Sequence, residues 1–300
     1  MRRHATSTLA SHSLRDVPLY GVMRPDPPAG PQPAGDPLEA AARRLPAFFA
    51  PVEIAASLPS TMVRAAELAE RGRPEGATVL ADHQTSGRGR LGRAWLAPPG
   101  SSLLVSVVLR PVAARVWPVL VAAGLALVEA VGEVLGQAGA GEVEVALKWP
   151  NDLLVGGRKA AGLLAEAAAG ALVLGMGVNV RQERFPPELR GRVTSLALAA
   201  GRPVSRAPLL AAWGRGFVAR YQAIGEHPGA LLPEYRACLA TLGQRVRVQR
   251  LAGPPLTGRA VDVRQGGALV VRLDGGDTVE VAAGDVEHLR PAAPADRPPG

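Results

Sequence analysis

The sequence predicts an α+β protein, a larger domain of mixed helices and strands followed by a small all-β barrel. Three observations carry that prediction. Apolar strand-like runs and helical periodicities interleave between residues 46 and 241. From Leu242-Gly243 onward the pattern changes to short alternating strands punctuated by paired glycines. The 300 residues are 47% hydrophobic, enough for one large core or for a medium domain with a small companion.

The elements follow in chain order. Residues 1–45 are expected to be a poorly ordered extension, because Pro25 to Pro37 is proline-rich and nearly free of large apolar groups. It shows no helix-turn-helix pattern. Pro59-Ser60-Thr61 begins a helix in which Met62, Ala65, Ala66 and Ala69 share one face, and Gly72 stops it. Ala77–Ala81 is a strand, and a glycine–arginine loop runs from Thr85 to Arg93. Leu103–Leu109 is a second strand, residues 117–135 a long buried helix, and Val143–Lys148 a third strand. Leu172–Val180 is another interior strand, and residues 205–222 and 228–240 are amphipathic helices. Val246 and Val248, Val261 and Val263, Leu269–Leu273, and Val279 and Val281 then give the barrel. The domains expected are therefore 46–241 and 242–292, with a disordered tail at 293–300.

Composition narrows the chemistry. One cysteine, Cys238, excludes an internal disulfide framework and a four-cysteine zinc site, and no histidine pair has helical metal-ligand spacing. The start lacks the apolar run of a secretory signal, and Val116–Leu135 contains Glu129 and Glu133, so a soluble cytoplasmic protein is expected. The net charge is +8, and His83 to Val128 holds five arginines and no Asp or Glu, which suits an anionic ligand. Among 34 basic residues just two are lysine, Lys148 and Lys159, in one segment. In a chain that otherwise uses arginine for positive charge, this pattern points to sites that require a compact ammonium.

Two constellations stand out. Gly87-Arg88-Gly89-Arg90-Leu91-Gly92 matches GxGxxG, but Ala94–Gly100 cannot form the helix that a dinucleotide fingerprint requires, and no P-loop is present. The glycines instead give a flexible loop that can approach a ligand, with Arg88, Arg90 and Arg93 able to clamp phosphate oxygens. The second is Lys148-Trp149-Pro150-Asn151-Asp152. Behind it Gly156-Gly157 forms a tight hairpin in which Leu154 faces Lys159 and Asp152 faces Ala161. Asp152 and Lys159 are then diagonal neighbours, roughly 7–8 Å apart at the backbone, able to address one ligand, and Gly162 leaves room beside them.

These residues carry a resemblance. Ser60-Thr61, Gln84 followed by the GRGRxGRxW run Gly87–Trp95, KWPNDLL from Lys148, Arg158–Gly162 and Gly175–Asn179 together resemble the biotin–protein ligase family over roughly residues 55–290. The resemblance implies a mixed-sheet catalytic domain of the class II aminoacyl-tRNA-synthetase and biotin-ligase kind, with an SH3-like C-terminal barrel. It implies that biotin and ATP react to biotinyl-5′-AMP, and that biotin then passes to a lysine of a biotin carboxyl carrier domain. Carried over by position, Ser60, Thr61, Met62, Gln84, Gly87, Arg88, Gly89 and Gly162 would form the biotin site. Arg90 and Lys159 would lie at the reacting carboxylate and α-phosphate. Arg93, Trp95, Lys148, Asn151, Asp152 and Asn179 would serve ATP, with Trp95 stacking on adenine and Asp152 placing either Mg²⁺ or the incoming amine. Arg90, Lys159, Lys148 and Asp152 are the catalytic candidates. Mg²⁺ is expected with the triphosphate, and its ligands are not specified.

Met62 departs from the family, standing where the pattern SxxSTN has asparagine. The N-terminal segment implies a ligase without a repressor's DNA-binding domain, acting as monomer or homodimer. Two alternatives stand beside this: a lipoate or octanoyl enzyme of the same fold, against which the GRGRxGRxW loop argues, and an arginine-rich nucleic-acid-binding protein. The latter is disfavoured because residues 241–300 carry 8 basic and 7 acidic groups and aromatics are 4%.

Overall fold

A computed structural model describes residues 37–111, 116–250 and 253–289. Most of the proline-rich extension and the tail 293–300 lie outside these residues. The last part of the extension does not behave as expected. Leu38–Ala42 forms helix α1, with Leu38 and Ala41 fully buried, so the fold already includes residues ahead of the expected boundary at 46. The two apolar residues sit three apart, one helical face, in a segment whose proline content masks the signal.

The main sheet has seven strands: β1 (Val52–Ala55), β2 (Thr78–Ala81), β3 (Ser102–Leu109), β4 (Val145–Lys148), β5 (Asp152–Val155), β6 (Arg158–Ala168) and β7 (Ala171–Asn179). Their spatial order is β1-β2-β3-β7-β6-β5-β4, with β1 and β2 parallel and the other pairs antiparallel, a mixed sheet as expected. On one face, Leu103, Val105, Val107 and Leu109 of β3 and Leu172, Leu174, Met176 and Val178 of β7 belong to the principal core. Two long helices cover it, α3 (Val116–Gln137) and α5 (Arg206–Glu226). α3 is apolar and long enough to cross a membrane, but 67% of its most apolar window is buried inside the fold.

The opposite face is covered only in part. Helix α2 (Thr61–Glu70) lays Met62, Ala65, Leu68 and Ala69 on Val79, Val108 and Val173. Beyond α2 the cross-strand partners are Gly162 with Gly177 and Leu164 with Gly175, so this part of the sheet carries almost no side chains. The short helix α4 (Leu196–Ala200) is capped by the Ser195 hydroxyl, which accepts from Leu198 N. Helix α6 (Leu232–Ala237) is shorter than the expected 228–240.

Strands β8 (Arg245–Arg250), β9 (Leu256–Val263), β10 (Leu269–Leu273), β11 (Thr278–Val281) and β12 (Gly284–His288) make an antiparallel sheet in the order β11-β10-β9-β8-β12, the expected SH3-like barrel. Trp149 ties it to the main domain. Its side chain is buried, Nε1 donates to Gly267 O at 2.9 Å, and its backbone N donates to Thr241 Oγ1 at 3.0 Å. Gly267 has φ +93°, and a Cβ there would run into the Trp117 ring, so this turn accepts only glycine.

Candidate functional site

The bare stretch of sheet forms the floor of the site. A Cβ at position 177 would stand 2.7 Å from Trp95 Cε2, and one at 162 would stand 3.4 Å from Trp95 Cζ3 and 3.5 Å from Lys159 Nζ. Glycines at these positions let a flat ring rest directly on the backbone. In this structure the ring is the indole of Trp95 itself, with Lys159 Nζ 5.9 Å from its centroid. Trp95 Nε1 is buried without a hydrogen-bond partner among the described residues. The room expected beside Gly162 is thus filled by the tryptophan expected to stack on adenine.

At one end of the floor, β3 and α2 meet. Gln84 Oε1 accepts from Thr61 N at 2.7 Å and from Thr61 Oγ1 at 2.9 Å, and Ser106 Oγ donates to Thr61 Oγ1 at 2.8 Å. The side chain of Gln84 therefore satisfies one of the open N–H groups at the start of α2. The Ser60 hydroxyl is buried beside this relay with no partner among the described residues. Met62 packs onto β7 where Gly175 lacks a side chain, a place a polar asparagine would fill poorly.

Backbone hydrogen bonds shape the arginine loop. Trp95 N donates to Gly87 O at 2.9 Å and Gly89 N to Arg93 O at 2.7 Å, closing it into a hairpin. Its tip, Arg90–Gly92, is a single 3₁₀ turn with Leu91 left-handed at φ 56°. Between this loop and Leu164–Glu166 lies a cleft of about 540 Å³. A smaller cavity of about 220 Å³ adjoins it under α2, lined by Met62, Ala66, Arg88, Glu166 and Val173. Arg88 reaches Glu166 at 3.4 Å, half exposed.

The cations gather at the middle of the floor. Lys159 Nζ lies 2.6 Å from Asp152 Oδ1, an ion pair between the two side chains expected on one face of the hairpin. The register differs, however: Leu154 faces Lys159, but Asp152 faces Gly162 rather than Ala161. A bulge at Ala160 inserts one extra residue, and neither spacing nor composition announces it. Arg90 donates to Asn151 Oδ1 and to Gly284 O of the barrel, both at 3.3 Å, and Asn151 Nδ2 donates to Leu163 O. Arg93 is ion-paired with Asp285 of β12. Burial lowers the pKa of Arg90, with Asp285 and Asp152 pulling it back, and burial likewise lowers Lys148 below an ordinary lysine. Burial alone would raise the Asp285 carboxyl, but the Arg93 hydrogen bond and the Lys148 and Arg90 charges hold it below its usual value. These cations are incompletely solvated, and an entering anion gains correspondingly.

At the far end Asn179 is buried and donates to Thr194 O at 3.1 Å. The structure therefore gathers the expected residues around one face of the sheet: Ser60, Thr61, Met62 and Gln84 at the α2 end, the loop glycines Gly87 and Gly89 with Arg88 and Arg90 over it, Lys148, Asp152, Asn151 and Lys159 on the side of β4, β5 and β6, and Asn179 at the far end of β7. Sequence reasoning missed Ser106, Glu166 and Asp285. For Ser106 a signal existed: Ser102 and Ser106 share one face of an otherwise apolar strand. For Asp285 none did, because the contact spans 192 residues.

Residues 54–183 match the profile of the Biotin/lipoate A/B protein ligase family, and residues 241–289 that of the Biotin protein ligase C terminal domain. The chain is 40% identical to a biotin–[acetyl-CoA-carboxylase] ligase of Mycobacterium tuberculosis, over 72% of this chain and 80% of that protein. It is 35% identical to the bifunctional ligase/repressor BirA of Bacillus subtilis, over 77% and 71% of the two chains. Its fold is similar to that of the Aquifex aeolicus biotin protein ligase in complex with biotin and ATP, with TM-score 0.70, 27% identity, and coverage of 81% of this chain and all of that one.

Proposed function

The chain belongs to the biotin/lipoate A/B protein ligase family, and from that premise we propose that it is an ATP-dependent biotin–protein ligase. The observation that carries the assignment of residues is the row along one sheet face: hydroxyl–amide relay, glycine floor, then cation cluster. Biotin's ureido ring would sit at Ser60, Thr61, Met62 and Gln84, with Gly87, Arg88 and Gly89 beside its arm and Gly162 beneath. Its carboxylate would then point at Arg90 and Lys159.

In the first step a biotin carboxylate oxygen bonds to the α-phosphorus of ATP while the bond to the β-phosphate oxygen breaks. Pyrophosphate leaves with the electron pair. Two anions must meet, so Lys159 and Arg90 would neutralise the repulsion and the charge developing on the α-phosphate. Lys148 and Arg93 would hold the β- and γ-phosphates, which requires Arg93 to give up Asp285. Asn151 and Asn179 would face the nucleoside, and Trp95 would leave the glycine floor to stack on it. In the second step the acceptor lysine's neutral amine attacks the carbonyl carbon, AMP departs, and the amine loses a proton. Asp152 would position that amine.

ATP is taken to arrive as its Mg²⁺ complex. Among the described residues no three His, Cys, Asp or Glu side chains cluster, and Asp152 and Asp285 are each paired with a cation. The ion would be held by the phosphates, and no step here depends on a protein cage for it. The acceptor would be a biotin carboxyl carrier domain in the cytoplasm. Pyrophosphate release from ATP with biotin, and biotin transfer to a carrier domain, test the assignment. Activity with lipoate or octanoate in place of biotin would overturn it.

A further inference from the structure

Strand β3 carries two polar residues in an otherwise apolar run, Ser102 and Ser106, both completely buried. Their cross-strand partners on β7 are Asn179 and Gly175, so both hydroxyls stand on the site face of the sheet. Ser106 is accounted for, since it donates to Thr61 in the relay at the proposed biotin end. Ser102 is not. Its hydroxyl has no hydrogen-bond partner among the described residues.

The backbone around Ser102 is held unusually firmly. Arg206, 1% exposed at the start of α5, donates to Ser102 O at 3.4 Å and lies 2.6 Å from Asp82 Oδ1. On the other side Arg181 N and Val180 N both donate to Ser101 O, at 2.8 and 3.2 Å. A buried hydroxyl with nothing to bond costs about 1–3 kcal/mol, whereas alanine would fit the same space without that cost. A hydroxyl on the site face without a protein partner is available to a ligand once the face beside Asn179 is uncovered.

Along β7, Gly175 lies at the relay, Gly177 under Trp95 and opposite Gly162, which Lys159 adjoins, and Asn179 comes next on the same face. We propose that Ser102 is a further nucleotide-binding residue, whose hydroxyl, beside Asn179, hydrogen-bonds the nucleoside end of ATP. This rests on the biotin–protein ligase function above and extends its nucleotide site by one residue.

The test is Ser102→Ala, measured by pyrophosphate release with biotin and ATP varied in turn, alongside thermal unfolding. The expected result is a KM for ATP raised about three- to tenfold, the loss of one neutral hydrogen bond, with the KM for biotin and the melting temperature not worsened. Thr61→Val serves as the contrast, because it should raise the biotin KM instead. An unchanged ATP KM in Ser102→Ala, or biotin and ATP KM values rising together, overturns the proposal. Wild-type protein that releases no pyrophosphate with biotin and ATP overturns the underlying function itself, and the two failures are told apart by that control.

Discussion

Replacing Lys159 by arginine separates charge from shape at the centre of the site. Lys159 Nζ sits 2.6 Å from Asp152, 5.9 Å from the Trp95 ring centroid, and 3.5 Å from the point where Gly162 would carry a Cβ. An arginine keeps the charge and can still meet Asp152. Its planar fork is larger than an ammonium, however, and must move away from the glycine floor or push the indole aside. Because the lysine side chain is 34% exposed, the ion pair contributes little to folding, and stability should change by less than about 1 kcal/mol. Catalysis is more demanding. A charge misplaced by about 1 Å costs on the order of 100-fold, and removing it entirely costs about 100- to 1,000-fold. Lys159→Arg should therefore unfold at the wild-type temperature but form biotinyl-5′-AMP about 10- to 100-fold more slowly in a single-turnover pyrophosphate assay. Lys159→Ala should be slower still. A Lys159→Arg enzyme with the wild-type rate would refute the requirement for an ammonium, and with it the significance of a lysine surviving among so many arginines.

Other consequences can be measured in the same way. Because burial lowers the pKa of Lys148, adenylation should fail on the alkaline side at a pH below that of a free lysine; folding should be slightly favoured as pH climbs through the same value, since the buried charge is then lost. Lys148→Arg, which stays charged, should move that limb upward, and a limb that does not move would show that another group sets it. Arg206→Met leaves the half-buried Asp82 without its 2.6 Å partner and should cost about 1–3 kcal/mol in urea unfolding, in contrast to any exposed arginine. Trp149→Phe removes the donor to Gly267 O inside the domain junction, so about 1–3 kcal/mol should be lost, and a wild-type denaturation midpoint would count against that junction.

What could be read in the sequence was local. The glycine–arginine loop, the Gly156-Gly157 turn and the shared face of Asp152 and Lys159 depend on residues a few positions apart, where turn chemistry and strand alternation carry most of the signal. Strands β1 and β12 were missed because each is short and gains its stability from a partner: β1 from β2, and β12 from β8, 34 or more residues earlier in the chain. The bulge at Ala160 was hidden for a related reason. An extra residue in one strand is tolerated only because the facing strand and the sheet behind it fix the register, and a small alanine gives no sign of it. Helix α1 was concealed by the prolines around it, although its two buried residues are in helical step.

The site itself divides along the same line. Its cations are spelled out in two contiguous motifs, yet what gives them their strength is supplied from elsewhere in the chain. Burial of Arg90 and Lys148 depends on the C-terminal barrel, whose Gly284 carbonyl and Asp285 carboxylate reach back to Arg90 and Arg93. On the proposed roles, a triphosphate entering between them would replace one carboxylate by a group of greater charge, which would need the barrel docked against the cations and the Arg93–Asp285 pair opened. Trp149, buried at the root of the hairpin that carries Lys159, bonds the barrel directly. A change there should therefore be felt in the ATP KM before it is felt in the biotin KM, because the relay of Thr61, Gln84 and Ser106 is built wholly within the main domain.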